Sequence, residues 1–240
     1  MDKKIIFKAR DKYGFDTQPR PYPAAQNLPD WWKDAAPYMK SPKNPDGKKL
    51  IVSQKTSNAG FKKCVPMLDA MLSGYIMPLW ADVQVSWDEK GNPLINSRTN
   101  AHVFMMHGES ARDVAPPTGY TNFVYKYINT WIPITPPGYS VLVTSPFGHR
   151  DLPFEAVPAI VDTDKSTLEI VPPMWLKEGF EGVIEKGTPL LQITPFKRTS
   201  WKSEFEYYDG HDYQTVQEKN FNSNIVNHYV RNVWSKKEYK

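Results

Sequence analysis

The clearest pattern along the chain is the strict alternation of residues 81–87, Ala-Asp-Val-Gln-Val-Ser-Trp. Val83, Val85 and Trp87 fall on one face and Asp82, Gln84 and Ser86 on the other, the period of a strand buried on one side. Asp88-Glu89-Lys90-Gly91-Asn92 then reads as a hairpin turn, with Pro93 to Arg98 returning. The same grammar recurs elsewhere. Lys4 to Ala9 predicts an opening strand, and Tyr75 to Trp80 another. Phe123 to Ile134 is an aromatic and β-branched run. Tyr139 to Thr144, Val157 to Val161, Leu168 to Val171 and Leu190 to Thr194 are further strands, bounded by Pro, Gly or Asp.

Helical spacing is rarer. Leu28-Pro29-Asp30-Trp31-Trp32-Lys33 reads as a helix start, with Pro29 or Asp30 opening the first turn. Pro66 opens a short helix continuing over Met67 to Leu72, and Gly74 is placed to cap it. Asn44-Pro45-Asp46-Gly47 is a turn. From Asp212 onward turn residues thin out. Phe221, Ile225, His228 and Tyr229 take helical spacing, with Val233 and Trp234 a turn later. The expectation is a mainly β fold, a sandwich or barrel of β-clip or jelly-roll-like kind, with short helices and a C-terminal amphipathic α-helix. Residues 1–211 read as one β-rich domain, weakly divided near 110–120, and residues 212–240 as the helix.

Composition sharpens this picture. The 240 residues include 8 Trp, 13 Tyr and 11 Phe against an apolar fraction of only 40 %, so aromatic rings must supply much of the core. The 22 prolines oppose long helices. A net charge of +4 gives no strong nucleic-acid signal. The single cysteine, Cys64, excludes an intrachain disulfide and favours a reducing compartment. The N-terminus lacks the apolar run of a signal peptide, and no stretch approaches the roughly 18 apolar residues of a membrane span. The expected location is a host cytoplasm or a particle assembled there.

Candidate chemistry is sparse. His149 and Asp151, two apart at a strand end, point the same way and with His211 or His228 would make the facial triad that holds non-haem iron. His102 and His107 are five apart and face opposite sides of a strand, so they cannot share a metal. Lys62 and Lys63 beside Cys64 would activate a thiol, but a buried structural cysteine is the stronger reading. Asp162-Thr163-Asp164 fits a turn better than a divalent ion. No nucleophile elbow, phosphate-binding loop, G-x-G-x-x-G or C-x-x-C occurs. No cofactor is expected. The eight tryptophans cannot all be fully buried, which leaves some to line a groove or anchor a partner.

Two resemblances add to these readings. LPDWWK (28–33), KKCVPMLDAMLSGYIMPLWADV (62–83) and WSKKEY (234–239) resemble a group of tailed-bacteriophage proteins of unassigned function, which implies a phage origin and no activity. Pro137-Gly138-Tyr139, Ile160 to Asp164 and Ile184 to Gln192 resemble, in order, the motifs of dUTPases and their β-clip relatives. That likeness implies a nucleoside-pocket role for Asp162 and a late-glutamine role for Gln192. Ser145-Pro146-Phe147-Gly148 stands where that family carries a Ser-Gly phosphate motif, and the Gly-rich C-terminal phosphate arm is missing. The function expected is a non-catalytic phage protein, a virion component or an assembly or host-interaction factor. It would work through a protein partner or self-assembly, with Trp31, Trp32, Tyr229 and Trp234 as contact residues. The alternative is an enzyme or ligand-binding barrel, either Fe(II)-dependent through His149, Asp151 and His211 or nucleotide-binding through Asp162 and Gln192.

Overall fold

The computed structural model describes residues 3–38, 60–97, 99, 102–106, 114–208, 210–222 and 229–240. Expectations at Asn44–Gly47, His107, Ile225 and His228 lie outside the described residues, as does the side chain of Phe221. In chain order the strands are β1 (Ile6–Ala9), β2 (Tyr22–Pro23), β3 (Tyr75–Pro78), β4 (Val83–Trp87), β5 (Pro93–Ser97), β6 (Phe104–Met106) and β7 (Tyr120–Tyr127). There follow β8 (Trp131–Ile134), β9 (Tyr139–Thr144), β10 (Phe154–Ala156), β11 (Ala159–Val161), β12 (Pro173–Lys177), β13 (Gly182–Ile184) and β14 (Pro189–Lys197). The helices are α1 (Lys12–Thr17), α2 (Asp30–Asp34), α3 (Val65–Leu72) and α4 (Gly210–Asn222), with a short π-helical turn at Tyr229–Val233.

The protein is mainly β, as its alternation and proline content predict. The strands form four antiparallel sheets, ordered β1-β8, β10-β12-β7-β6, β11-β9-β14-β3-β2 and β13-β4-β5. The chain divides into two compact units that do not follow chain order. One holds residues 1–27, 73–199 and 239–240; the other holds 28–72 and 200–238. The last strand, β14, ends at Lys197, and the second unit resumes at residue 200.

The first unit contains all four sheets, closed on one core. Met77, Val83, Val85, Tyr127, Val143, Phe154, Met174, Leu191 and Ile193, drawn from seven strands, are each under 3 % exposed. The alternation that announces β4 is real: Val83 and Val85 are sealed, while Gln84 is exposed. Aromatic rings pack at the centre, with Phe104 stacked on Phe154 at 4.6 Å. The polar tips of Trp80 and Tyr127 find partners, as low polarity requires. Trp80 Nε1 donates to the Ile128 carbonyl at 2.9 Å, and the Tyr127 hydroxyl to that of Pro78 at 2.8 Å.

Two expected strands differ. Phe123 to Ile134 is not continuous; β7 and β8 belong to different sheets. Asn129 makes the break. Its side-chain oxygen accepts from Trp131 N at 3.1 Å and its amide donates to Trp131 O at 2.7 Å, holding a local turn in place of a ladder. Leu168 to Val171 forms no strand, and Leu168 is exposed. Pairing starts instead at Pro173, after Pro172 has offered its carbonyl to Tyr127 N.

In the second unit, α2 begins after Pro29 and carries Asp30 in its first turn. Just beyond α3, Gly74 adopts φ +72°, the left-handed conformation expected of a helix-terminating glycine. The C-terminal helix ends at Asn222, and residues 234–240 are not helical.

Candidate functional site

The residues nominated for iron are distributed over the two units, His149 and Asp151 in the first and His211 in the second. His149 lies in a loop of the first unit, and its Nε2 sits 2.9 Å from the Asn27 carbonyl, which fixes the ring. Asp151 is exposed. His211 belongs to the second unit, in the first turn of α4. Among the described residues no three His, Cys, Asp or Glu side chains are grouped to hold a metal ion, that trio included. Cys64 is exposed rather than buried, because it follows a short turn at Phe61–Lys63 instead of entering the core. Its neighbours are otherwise engaged: Lys62 Nζ donates to the Lys33 carbonyl at 2.6 Å, and Lys63 Nζ lies over the Tyr38 ring.

Asp162 and Asp164 form the turn expected of them, and a guanidinium stands where a divalent ion would need to be. Lys165 N and Ser166 N donate to the Asp162 carbonyl. Arg198, just past β14, donates two parallel bonds to the Asp164 carboxylate and further bonds to Ser140 Oγ at 2.9 Å and the Tyr139 carbonyl at 3.0 Å. Gly138 N donates to Asp164 at 2.8 Å, and Ser140 Oγ to Asp162 at 2.6 Å. This is a planar fork on a carboxylate, the geometry that makes arginine pairs strong. The Arg198 hydrogen bonds hold the Asp164 carboxyl well below the usual carboxylate range, helped by the Gly138 amide.

Gln192 is equally committed. It is 1 % exposed; its oxygen accepts from Phe147 N at 2.9 Å and its nitrogen donates to the Ser73 carbonyl at 2.5 Å. Gln192 pairs with Thr144, whereas Ser140, the Asp162 partner, pairs with Phe196. The two residues linked by the dUTPase likeness are thus served from points four residues apart on β14, roughly 13 Å along the strand. Both act in holding the five-stranded sheet to its loops.

The contact residues divide. Trp32 is only 3 % exposed, and Trp31 meets it edge to face at 5.7 Å. Trp234 is half-buried; its Nε1 donates to Asp69 at 2.9 Å, and Lys237 joins the same carboxylate at 2.6 Å. Tyr229, also half-buried, offers its carbonyl to Trp234 N. These side chains are largely used within their own unit.

The open aromatic surface lies elsewhere. Of the eight tryptophans Trp201 alone is exposed, at 90 %, followed by Phe205 at 96 % and Tyr207 at 93 %. They occupy residues 200–208, Ser-Trp-Lys-Ser-Glu-Phe-Glu-Tyr-Tyr, which belong to no helix or sheet. Inspection of tryptophans alone passes over this segment, yet its signal is legible. Aromatics sit at 201, 205 and 207 and charges at 202, 204 and 206, the period of a strand with one apolar face. No proline interrupts it.

One recess is also relevant. The first unit has a hollow of about 210 Å³, lined by Val83 of β4, by Ile95, Asn96 and Ser97 of β5, and by His102, Val103 and Phe104 among others. These features describe a mainly β protein with an accessible aromatic segment. Compared with known proteins, the chain matches no family model, no curated protein and no solved structure. Among the described residues no helix is long and apolar enough to cross a membrane.

Proposed function

We propose that this protein works by contact with other proteins, as a virion component or an assembly or host-interaction factor of a tailed bacteriophage, and not by catalysis. One observation carries the reading: Trp201, Phe205 and Tyr207 are each at least 90 % exposed on a segment, residues 200–208, that among the described residues forms no strand. Exposing three large rings forfeits about 1.5–3 kcal/mol of burial apiece. Trp and Tyr are the side chains that dominate protein interfaces when they become buried on binding. The titratable groups nominated for chemistry are meanwhile engaged in structural hydrogen bonds, as at Asp162, or stand apart, as at Asp151.

Purified phage particles from cells producing the wild-type chain or the W201S/F205S/Y207S variant provide the test. Quantitative mass spectrometry is expected to find the wild-type chain in stoichiometric amount and the variant depleted. Incorporation that is equal for both refutes the reading, as does a chain missing from wild-type particles, from every assembly intermediate and from every complex with host proteins.

A further inference from the structure

We infer that the aromatic segment is a strand donated to a second copy of this chain, in a reciprocal exchange along the outer edge of β5. The inference rests on the protein-contact reading above and names the partner for it. Its first support is the pattern of residues 201–207, which is that of a strand without a sheet. A strand needs an edge, and β5 offers one: its only neighbour among the described residues is β4. Leu94, on that edge strand, is 45 % exposed. Adding a strand to such an edge supplies main-chain hydrogen bonds, while pockets beside it read alternate side chains.

The second support is the recess. It lies against β5 and measures about 210 Å³. A cavity of about 150 Å³ already accepts a benzene ring, so this hollow has room for one aromatic side chain of the segment. Ile95, Val103 and Phe104 are its apolar lining. Asn96 and His102, also in the lining, carry acceptors of the kind an indole N–H seeks when it is buried. Trp201 is the ring that fits this description, and it is the one tryptophan left open.

Area decides between one copy and two. Each large ring buries about 150–250 Å², so one segment brings about 450–750 Å² and covers a similar area on its acceptor. A single docking therefore falls near the lower bound of about 1,000 Å² for a specific interface. Two-fold exchange doubles it into the range of stable dimers. It also places the same patch on both copies, as closed symmetry requires.

Size-exclusion chromatography with light scattering on the full chain, across the micromolar range, tests this. The wild type is expected to be a dimer. W201S/F205S/Y207S is expected to be a monomer with unchanged circular dichroism, its dissociation constant raised at least about 100-fold, the scale of losing interface hot spots. Asn96→Trp, which fills the recess from the receiving side, is expected to be monomeric too. Mixing the two variants is expected to restore a weaker heterodimer, because one intact segment then meets one intact recess. A wild-type monomer throughout the range, or a dimer that survives the triple substitution, overturns the inference. So does a failure of the mixed variants to associate. In those outcomes the particle assay above still reports independently on whether the segment meets a different protein.

Discussion

Gly74 is where local backbone and tertiary packing make the same demand, and replacing it by alanine measures both. Its φ of +72° costs a residue with a side chain about 1–2 kcal/mol. A Cβ there would also run into the Ile193 carbonyl oxygen, and would lie 2.8 Å from the Ile193 carbonyl carbon and 2.9 Å from the Thr194 Cα. These are backbone atoms of β14, a central strand held by β9 on one side and β3 on the other, so they cannot swing aside. Forcing such a contact costs about 1–3 kcal/mol. The shift would also strain the bond from Gln192 to the adjacent half-buried Ser73 carbonyl, worth about 1 kcal/mol. Together Gly74→Ala is expected to remove about 3–6 kcal/mol, a large share of the ~5–15 kcal/mol that holds a typical domain. At about 2–4 °C per kcal/mol for a chain of this size, the melting temperature falls by about 6–24 °C. Gly91 is the internal control. Its φ is +77°, yet nothing lies within 4 Å of a Cβ built there. Gly91→Ala is expected to cost only the backbone increment, about 1–2 kcal/mol. Urea unfolding of both variants reads the difference. Equal midpoints for the two would show that the approach of β14 to residue 74 carries no energetic weight, and would refute the packing argument.

Two further outcomes follow from the polar interior. Gln192→Leu keeps the volume but removes the bonds to the Phe147 amide and the Ser73 carbonyl, so a loss of about 2 kcal/mol is expected in urea unfolding, about 1 for each half-buried bond; a neutral result would mean that water replaces the amide. Asp164 has its carboxyl depressed by Arg198, so its stabilising effect is fully present above the unfolded value of about 3.9 and is lost as pH falls toward the folded value. The wild-type urea midpoint should therefore drop between about pH 5 and pH 2, and Asp164→Asn should flatten that slope; parallel pH profiles would contradict the pairing.

The parts of the fold that were legible in the sequence are those governed by neighbours along the chain. The alternation at Val83, Gln84 and Val85 announces β4 because one face is sealed and the other is wet. Pro29 and Gly74 mark a helix start and a helix end through their own φ preferences. Phe123 to Ile134 misleads because its β propensity is uniform, while the break depends on one side chain, Asn129, bonding back to Trp131. Asp162 and Gln192 looked like ligand groups for a similar reason. Their true partners, Ser140 and Ser73, lie 22 and 119 residues away and become neighbours only through sheet pairing. The exposed segment was half legible: its period is in the sequence, but Lys197 as the end of the last strand is a property of the fold. Paired tryptophans attract attention as an interface, yet Trp32 is inside and Trp201 is outside.

The buried phenol of Tyr127 gives the protein a built-in optical alarm. Burial pushes its hydroxyl far above the ordinary tyrosine value, and its proton is lent to Pro78. The Tyr127 phenolate would appear only when base has breached the interior, so its ultraviolet absorbance times the collapse of the structure without any added label.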